Sequence, residues 1–413
     1  MNDVPWWKEP TRAHWSAFGA AWAGWVLDAF DFTIFMLVMP NIAHDMGVAN
    51  VATAGSITLT LFARLAGGYI AGAAADRWGR KLPLMISLVW FAACDAAVAF
   101  APSFGWILVL RTLFGLGMGA EWTAGTTLAM ESWPARSRGI ASGILQGSWG
   151  VGYLLAALVS AVVLPLWGWR ALFVCAAAPA LLVIPIRFGI VESREWAASR
   201  AVVAARRSAL DRASMLRLVW AILAMGVGFG AYYGLTALYP TMLRTELGAG
   251  AGTVAWLVAL FNVGMLAGSV ACGALAAKRG VTVAIALPAL LSVVALPLYV
   301  GAAKGLLPVG ALLGGALGAG FCGVVPMLLT GMFPADVRAR FVGIVYHAGA
   351  ALAALVPTAT AALAAWAHVR LSTSVALVAG SCEVVLALTV LAGRRFSAAQ
   401  PSPAPASPAL EVA

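Results

Sequence analysis

Between its second and third long apolar runs the chain reads Gly72-Ala73-Ala74-Ala75-Asp76-Arg77-Trp78-Gly79-Arg80-Lys81. Glycine lets two backbones approach closely. Asp76 can pair with a nearby arginine or with a helix N-terminus, and the basic residues around it favour the cytoplasmic side of a membrane. This stretch therefore predicts a tight, basic turn between two membrane-spanning helices.

The composition outside this turn is that of a polytopic membrane protein. Of 413 residues, 62% are hydrophobic and 10% are charged, and the mean hydropathy is +0.92, whereas soluble domains carry about 25% charged residues. The apolar runs are long and do not alternate, which favours helices over a β-barrel. The net charge of +10 then reflects basic loops, so no nucleic-acid partner is predicted. The five cysteines lie in apolar runs without metal-ligand spacing, and neither a metal site nor a cofactor is expected.

Twelve apolar runs are long enough to span a bilayer. They lie at about 15–43, 53–75, 83–101, 105–131, 140–165, 170–190, 216–243, 253–277, 282–301, 305–332, 341–366 and 371–393. They predict a polar arm (1–14), a six-helix half (15–190), a basic, partly helical linker (191–215), a second half (216–395) and a disordered tail (396–413). The linker is either a solvated connector or a binding segment for anionic lipid.

The basic residues indicate the orientation of the spans. Of 26 Lys and Arg, 20 fall on the side of the two termini, four fall on the other side, and Arg64 and Arg111 lie within spans. The positive-inside rule then places both termini in the cytoplasm. The first apolar run has the features of a retained helix, not of a cleaved signal peptide, so a multi-pass protein of the inner membrane is predicted.

An internal repeat relates the two halves at an offset of 200 residues. Pro40 matches Pro240, and Arg138 matches Arg338. The segment 133–135, Trp-Pro-Ala, matches 333–335, Phe-Pro-Ala. Several matches at one offset support two pseudo-symmetric six-helix halves, an arrangement that places the solute between the halves near the midplane.

The turn at 72–81 resembles the signature loop of the major facilitator superfamily, and Arg111 with the glycines that follow it resembles that superfamily's intramembrane arginine motif. The stretches 27–31, 117–121, 131–134 and 167–173 narrow the likeness to the sialate:proton symporter family, which also holds lactate and pyruvate carriers. The resemblance implies a monomeric, proton-coupled secondary transporter, not an enzyme, that imports a small organic acid anion by alternating access. The alternatives are a proton-driven exporter, and an importer of aromatic acids or sugars on the same fold.

The resemblance also implies a cytoplasmic gate, formed by residues of the turn and of the ends of spans 4 and 5. Its predicted members are Gly72, Asp76, Arg77, Gly79, Arg80, Glu131 and Arg138. The second copy of the turn, residues 273–280, has lost the acid and carries Ala277 near the position of Asp76. We therefore expect an asymmetric gate, anchored in the N-terminal half.

Ionisable residues lie deep in the N-terminal half, and their repeat partners in the other half are neutral. They are Asp28, Asp31, Arg64, Arg111 and Glu121. A charge at mid-bilayer costs about 2.5–3.5 kcal/mol on insertion scales, so this one-sided set indicates a function and not only helix pairing.

At about 1.5 Å per residue, Asp31 and Arg111 fall at one depth, and Asp28 and Arg64 at another. The interpretation is that Asp31, with Asp28, accepts a proton beside Arg111, and that Glu121 is a second proton site. Arg64 is the candidate for binding the solute carboxylate, because its planar fork suits that group. Arg111 and Arg64 are alternatively structural braces.

The remaining candidate solute contacts are neutral or weakly basic. They are Gln146, Tyr232, Tyr233, Asn262 and His347; His347 is alternatively a packing residue. Asp95 and Glu383 lie in spans 3 and 12, which this fold places at the periphery, and the sequence assigns them no role.

Overall fold

A computed structural model describes residues 5–203 and 212–397, which form an α-helical bundle. Residues 1–4, 204–211 and 398–413, where parts of the predicted arm, linker and tail fall, lie outside the described residues. The first half contains α1 (Arg12–Met46), α2 (Asn50–Trp78), α3 (Lys81–Val98), α4 (Phe104–Ser132) and α5 (Arg138–Phe188). α1 begins where the Thr11 hydroxyl accepts the backbone N–H of His14, and it ends at Gly47, whose φ of 63° is readily adopted by glycine.

The second half follows the short helix α6 (Arg194–Val203). It contains α7 (Arg212–Thr236), α8 (Tyr239–Thr245), α9 (Ala251–Arg279), α10 (Val281–Tyr299), α11 (Leu307–Leu313), α12 (Val325–Met332), α13 (Arg338–Ala353), α14 (Val356–Trp366) and α15 (Leu371–Ala392), with a last turn α16 (Arg394–Ser397). Several predicted spans are thus built from consecutive helices.

Among the described residues, eleven helical segments are long and apolar enough to cross a membrane. One of them lies in α5, whose 51 residues correspond to about 75 Å of helix, more than twice the roughly 30 Å hydrocarbon core. α5 breaks at Gly168, which has φ 73° and ψ 179°. The two sides of this break correspond to the predicted spans 5 and 6, so the twelve-span interpretation holds.

The predicted tenth span is not one regular helix. Between α11 and α12 the backbone forms a π-helical segment at Gly314–Ala319 and a 3₁₀ segment at Gly320–Val324. The glycine-rich sequence explains this irregularity, since Gly lowers helix stability by about 1 kcal/mol relative to Ala. Glu383 of α15 lies behind this segment: it is fully buried, and both its Oε1 and the Ser292 hydroxyl lie about 3 Å from where a Cβ on Gly318 would sit. Glu383 therefore points away from lipid, into the packing of its own half, a placement that the sequence left open.

The two halves meet most extensively along two helix crossings, α2 with α13 and α5 with α9. At Gly72 a Cβ atom would lie 2.5 Å from the Cα of Arg340, and at Gly273 a Cβ would lie 2.1 Å from the carbonyl oxygen of Gly139. Both crossings therefore require glycine.

The internal repeat is also visible in the capping contacts of the two halves. Arg138 Nε donates to the carbonyl of Trp133, and Arg338 Nε donates to the carbonyl of Phe333. The same contact thus occurs once in each half, at the predicted offset.

Candidate functional site: a cavity between the halves and a closed gate

A cavity of about 340 Å³ lies between the two halves. Its walls include Phe32, Arg64, Gln146, Trp149 and Tyr153 from the first half and Phe229, Tyr232, Tyr233, Asn262 and Tyr346 from the second. On α1, α2, α7 and α9 the lining residues fall in the part of the helix remote from the 72–81 turn. The cavity therefore extends from the middle of the bundle towards the end opposite that turn.

Arg64 places a positive charge on the wall of this cavity. Its guanidinium carbon lies 5.3 Å from the ring centre of Trp25, 5.6 Å from that of Tyr346 and 6.0 Å from that of Trp149. The residue is 5% exposed, and its Nε and Nη2 have no hydrogen-bond partner among the described residues. Buried polar groups are normally hydrogen-bonded, so this guanidinium has unused capacity for an anion.

The inner part of the cavity wall joins the halves through a polar and aromatic chain. The indole of Trp122 donates to Gln146 Oε1 at 3.4 Å, and Gln146 Nε2 donates to the Tyr346 hydroxyl at 3.3 Å. The rings of Tyr346 and Trp122 stack with centres 3.5 Å apart. Gln146 is thus a cavity residue as predicted, while Tyr346 and Trp149 were not among the predicted solute contacts.

The second half contributes an aromatic surface. Tyr232 and Tyr233 line the cavity with ring centres 5.6 Å apart, and Phe229 packs 5.9 Å from Tyr233. Asn262 also lines the cavity, with its amide donating to the carbonyl of Val258. Tyr232, Tyr233 and Asn262 thus lie on the cavity wall, and their contact with a solute stays a prediction.

His347 does not line the cavity, and its interpretation as a solute contact is wrong. The ring is 1% exposed and packs from α13 against α2 and α4. It lies 3.2 Å from the carbonyl of Gly119 and 3.4 Å from the Thr123 hydroxyl, and a Cβ on Gly68 would lie 2.2 Å from it. His347 therefore packs the two halves together behind the cavity wall.

Four buried charged residues of the first half, Asp28, Asp31, Asp95 and Arg111, form a cluster behind the cavity wall. Arg111 donates to Asp95 Oδ1 at 2.8 Å, and both side chains are 1% exposed. Its guanidinium lies over the rings of Phe35 and Phe114, at 4.3 Å and 4.0 Å. The predicted pairing of Arg111 with Asp31 is thus corrected: its ion-pair partner is Asp95, which the sequence left without a role.

The predicted proton acceptors are buried on α1 and α4. Asp31 is 2% exposed and interacts electrostatically with Arg111, Asp95 and Asp28; Asp28 is fully buried. Glu121 is 2% exposed and accepts the Ser87 hydroxyl at 2.8 Å. None of these three carboxyls is among the residues that line the cavity.

The end of the bundle that carries the 72–81 turn, called the gate end here, is closed. Asp76 accepts the backbone N–H groups of Ala339 and Arg340 at 3.1 Å each, across the two halves. Arg80 pairs with Asp76 at 3.1 Å and with Glu131 at 3.0 Å, and it donates to the carbonyl of Ala335 at 2.7 Å. Glu131 also pairs with Arg338 of the second half at 2.9 Å.

A family model described as the Major Facilitator Superfamily matches residues 21–248, more than half of the chain. The chain belongs to the major facilitator superfamily. The sialic acid transporter NanX of Escherichia coli (strain K12) is 28% identical over 390 residues, or 92% of this chain and 95% of the relative. A probable 4-methylmuconolactone transporter of Cupriavidus pinatubonensis is 30% identical over 367 residues, or 84% and 83%.

A solved structure of a superfamily member has the same fold. The proton:xylose symporter XylE bound to 6-bromo-6-deoxy-D-glucose aligns with a TM-score of 0.76 at 18% identity, covering 94% of this chain and 97% of that one. The chain is therefore a multi-pass major facilitator transporter with two six-helix halves, and not an enzyme. Among its described residues, no group of three or more His, Cys, Asp or Glu is placed to hold a metal ion.

Most predicted gate residues of this transporter meet at the gate end, but one does not. Gly79 adopts φ 101°, which only glycine takes readily, and Arg138 joins the network through Glu195 at 3.4 Å. Arg77 is exposed and lies over the ring of Trp78. Arg77 therefore forms none of the described contacts between the halves, which corrects its assignment to the gate.

The sequence analysis did not assign three residues to the gate: Glu192, Glu195 and Arg338. The two acids follow span 6, and Arg338 was used only as the repeat partner of Arg138. Glu192 accepts the backbone N–H groups of Arg80 and Lys81, at 2.9 Å and 3.1 Å. Glu195 pairs with Arg338 at 2.5 Å. The acids among the arginines of 191–215 were the available signal in the sequence. Glu192 and Glu195 therefore belong to the gate and not to a solvated connector.

Proposed function

We propose that this transporter is a proton-coupled importer of small organic carboxylates. The observation that carries the proposal is Arg64, a buried cation on the cavity wall with two nitrogen atoms that lack hydrogen-bond partners among the described residues. A carboxylate accepts two parallel N–H bonds from a guanidinium. The names of the two relatives, transporters of sialic acid and of 4-methylmuconolactone, support an organic acid as the solute.

The gate end faces the cytoplasm in this proposal. The excess of basic residues on the side of the termini supports this orientation in the inner membrane. The cavity then extends towards the outside while the cytoplasmic gate is closed, which is the conformation that receives a solute for import. Transport requires the Asp76 and Glu131 contacts across the halves to break while the outer end closes.

Asp31, with Asp28, is the proposed proton acceptor. Trp25, one turn before Asp28 on α1, contacts the guanidinium of Arg64, so α1 connects the solute site to the buried carboxyls. Burial disfavours a charged carboxyl and a nearby cation favours it. A movement of α1 between the two conformations therefore changes the proton occupancy of Asp31 together with access to Arg64.

An importer of aromatic acids is the second candidate, and the cavity lining favours it. The rings of Trp149, Tyr153, Phe229, Tyr232 and Tyr233 face the cavity, and its few polar groups leave little to pair with a polyhydroxylated solute. Planar acids stack on such rings. The comparison of an aromatic acid with sialate in one assay separates this candidate from a sialate carrier.

The test is uptake into proteoliposomes under an inward pH gradient. The panel contains lactate, pyruvate, sialate, an aromatic acid and a neutral sugar. Arg64→Ala is expected to lower carboxylate uptake at least about 100-fold, because bonds from a charged donor are worth about 1.5–3 kcal/mol each, and Arg64→Lys is expected to retain part of it. Arg170→Ala is the matched control, since Arg170 is exposed, pairs with Asp45 at 3.4 Å and lies over the ring of Trp169 at 4.3 Å, away from the cavity lining. Preference for the sugar, or full carboxylate uptake by Arg64→Ala, contradicts the proposal.

A further inference from the structure

Asp95 on α3 forms the ion pair with Arg111, the guanidinium that also acts on Asp31. Arg111 donates to Asp95 Oδ1, while the Arg111 Nε, the second oxygen of Asp95 and the Oδ1 of Asp31 have no hydrogen-bond partner among the described residues. The cluster is buried, because Asp95, Arg111 and Asp31 are 1%, 1% and 2% exposed. Arg111 therefore has donor capacity left for a second carboxyl.

The charges in this cluster do not balance if every acid is ionised. The groups that act on Asp31 are Asp28 from its own helix, Asp95 from α3 and Arg111 from α4. Cys94, next to Asp95, also interacts with Arg111. Arg111 thus interacts with two carboxyls, those of Asp95 and Asp31, and an uncompensated buried carboxylate costs several kcal/mol. At least one carboxyl of the cluster must carry a proton when the cluster is closed to water.

We propose that Asp95 sets the pH at which Asp31 binds its proton, by competing with Asp31 for Arg111. The inference rests on the proton coupling proposed above. With a proton on Asp31, Arg111 binds Asp95, as in this conformation. When Asp31 loses its proton, Arg111 has to compensate two carboxylates, and the repulsion between Asp31 and Asp95 favours return of the proton. Asp95 does not line the cavity, so it is a positioning residue that acts through Arg111.

The sign of the effect follows from this competition. Asp95→Asn removes one negative charge and leaves Arg111 free to stabilise the Asp31 carboxylate. Asp31 then needs a more acidic medium to bind a proton. An opposite charge nearby lowers the pKa of a carboxyl by about one to three units. The external pH of half-maximal uptake is therefore expected to fall by about one unit. Arg111→Gln removes the cation and is expected to move that pH in the alkaline direction.

The experiment measures the pH profile of carboxylate uptake in proteoliposomes for the full-length carrier. The variants are Asp95→Asn, Asp95→Glu and Arg111→Gln, with Cys175→Ser of α5 as the control, because Cys175 is a half-buried cysteine outside this cluster. Asp95→Glu and Cys175→Ser are expected to keep the wild-type midpoint. Opposite shifts for Asp95→Asn and Arg111→Gln support the proposal.

Two results would overturn it. An unchanged midpoint in Asp95→Asn, whatever its maximal rate, assigns Asp95 a bracing role only, and an alkaline shift in that variant contradicts the competition for Arg111. If Asp95→Asn does not fold, the pH profile of Arg111→Gln decides, and the absence of an alkaline shift in that variant also contradicts the proposal. If the wild type transports carboxylates without any acid stimulation, the proposed proton coupling itself fails. This outcome is measured on the wild type alone, so it is distinguished from the outcomes that the variants test.

Discussion

The two crossings between the halves have the same backbone geometry and different chemistry. At one crossing Gly72 of α2 contacts the start of α13, and at the other Gly273 of α9 contacts the start of α5. In the first, Asp76 accepts two N–H groups at the start of α13. In the second, Ala277 offers only a methyl group, 3.4 Å from where a Cβ on Gly139 would sit. The repeat thus conserves the close approach of the helices, while the acid that caps α13 occurs once.

The largest effect is expected from Asp76→Ala, which removes the difference between the crossings. The change leaves two N–H groups without their acceptor and removes a buried partner of Arg80. Breaking a buried pair costs about 3–5 kcal/mol, so the closed gate should lose most of its stability. Hydrogen exchange at the amides of Ala339 and Arg340 is expected to accelerate at least about 100-fold. Ala277→Ser is the control at the other crossing, and equal protection in Asp76→Ala and the wild type would exclude this role.

Neutralising either of the two acids that bind Arg338 is expected to destabilise the closed gate less than Asp76→Ala does, and by unequal amounts. Glu131 has a fully buried side chain that pairs with Arg80 and Arg338, whereas the Glu195 side chain is 30% exposed. Glu131→Gln should destabilise the closed gate by about 2–4 kcal/mol, and Glu195→Gln by less than about 1 kcal/mol. The same exchange measurement ranks them. A larger effect for Glu195→Gln would mean that α6, and not the end of α4, holds the gate.

The smallest effect is expected from Ala277→Asp, which adds an acid to the second crossing. A carboxylate at the start of α5 can accept free backbone N–H groups, as Asp76 does at α13. A helix cap contributes about 1 kcal/mol, so the closed gate should become slightly more stable and turnover should slow about fivefold. Transport rates in Ala277→Asp and Ala277→Asn, compared at equal carrier content, measure this effect. Faster turnover in the aspartate variant would show that the second crossing does not restrain opening.

The sequence predicted the gate better than it predicted the charged interior. The turn at 72–81 is local, so the residues that lie together are close in sequence and carry a recognisable pattern. Arg111 was paired with Asp31 from equal depth, and the structure pairs it with Asp95. Depth follows from the rise of about 1.5 Å per residue, but the direction in which a side chain points depends on how the helices are rotated and packed. His347 was misplaced for the same reason.

By itself, the sequence determined that this chain spans a membrane in two repeated six-helix halves, because hydropathy and spacing are read along the chain. It also determined that the buried cations lie in the first half. Only the tertiary structure decided which acid binds Arg111, which rings surround Arg64, and that Glu192 and Glu195 belong to the gate. These contacts join residues from 16 to more than 140 positions apart, so they depend on the packing of helices and not on any local pattern.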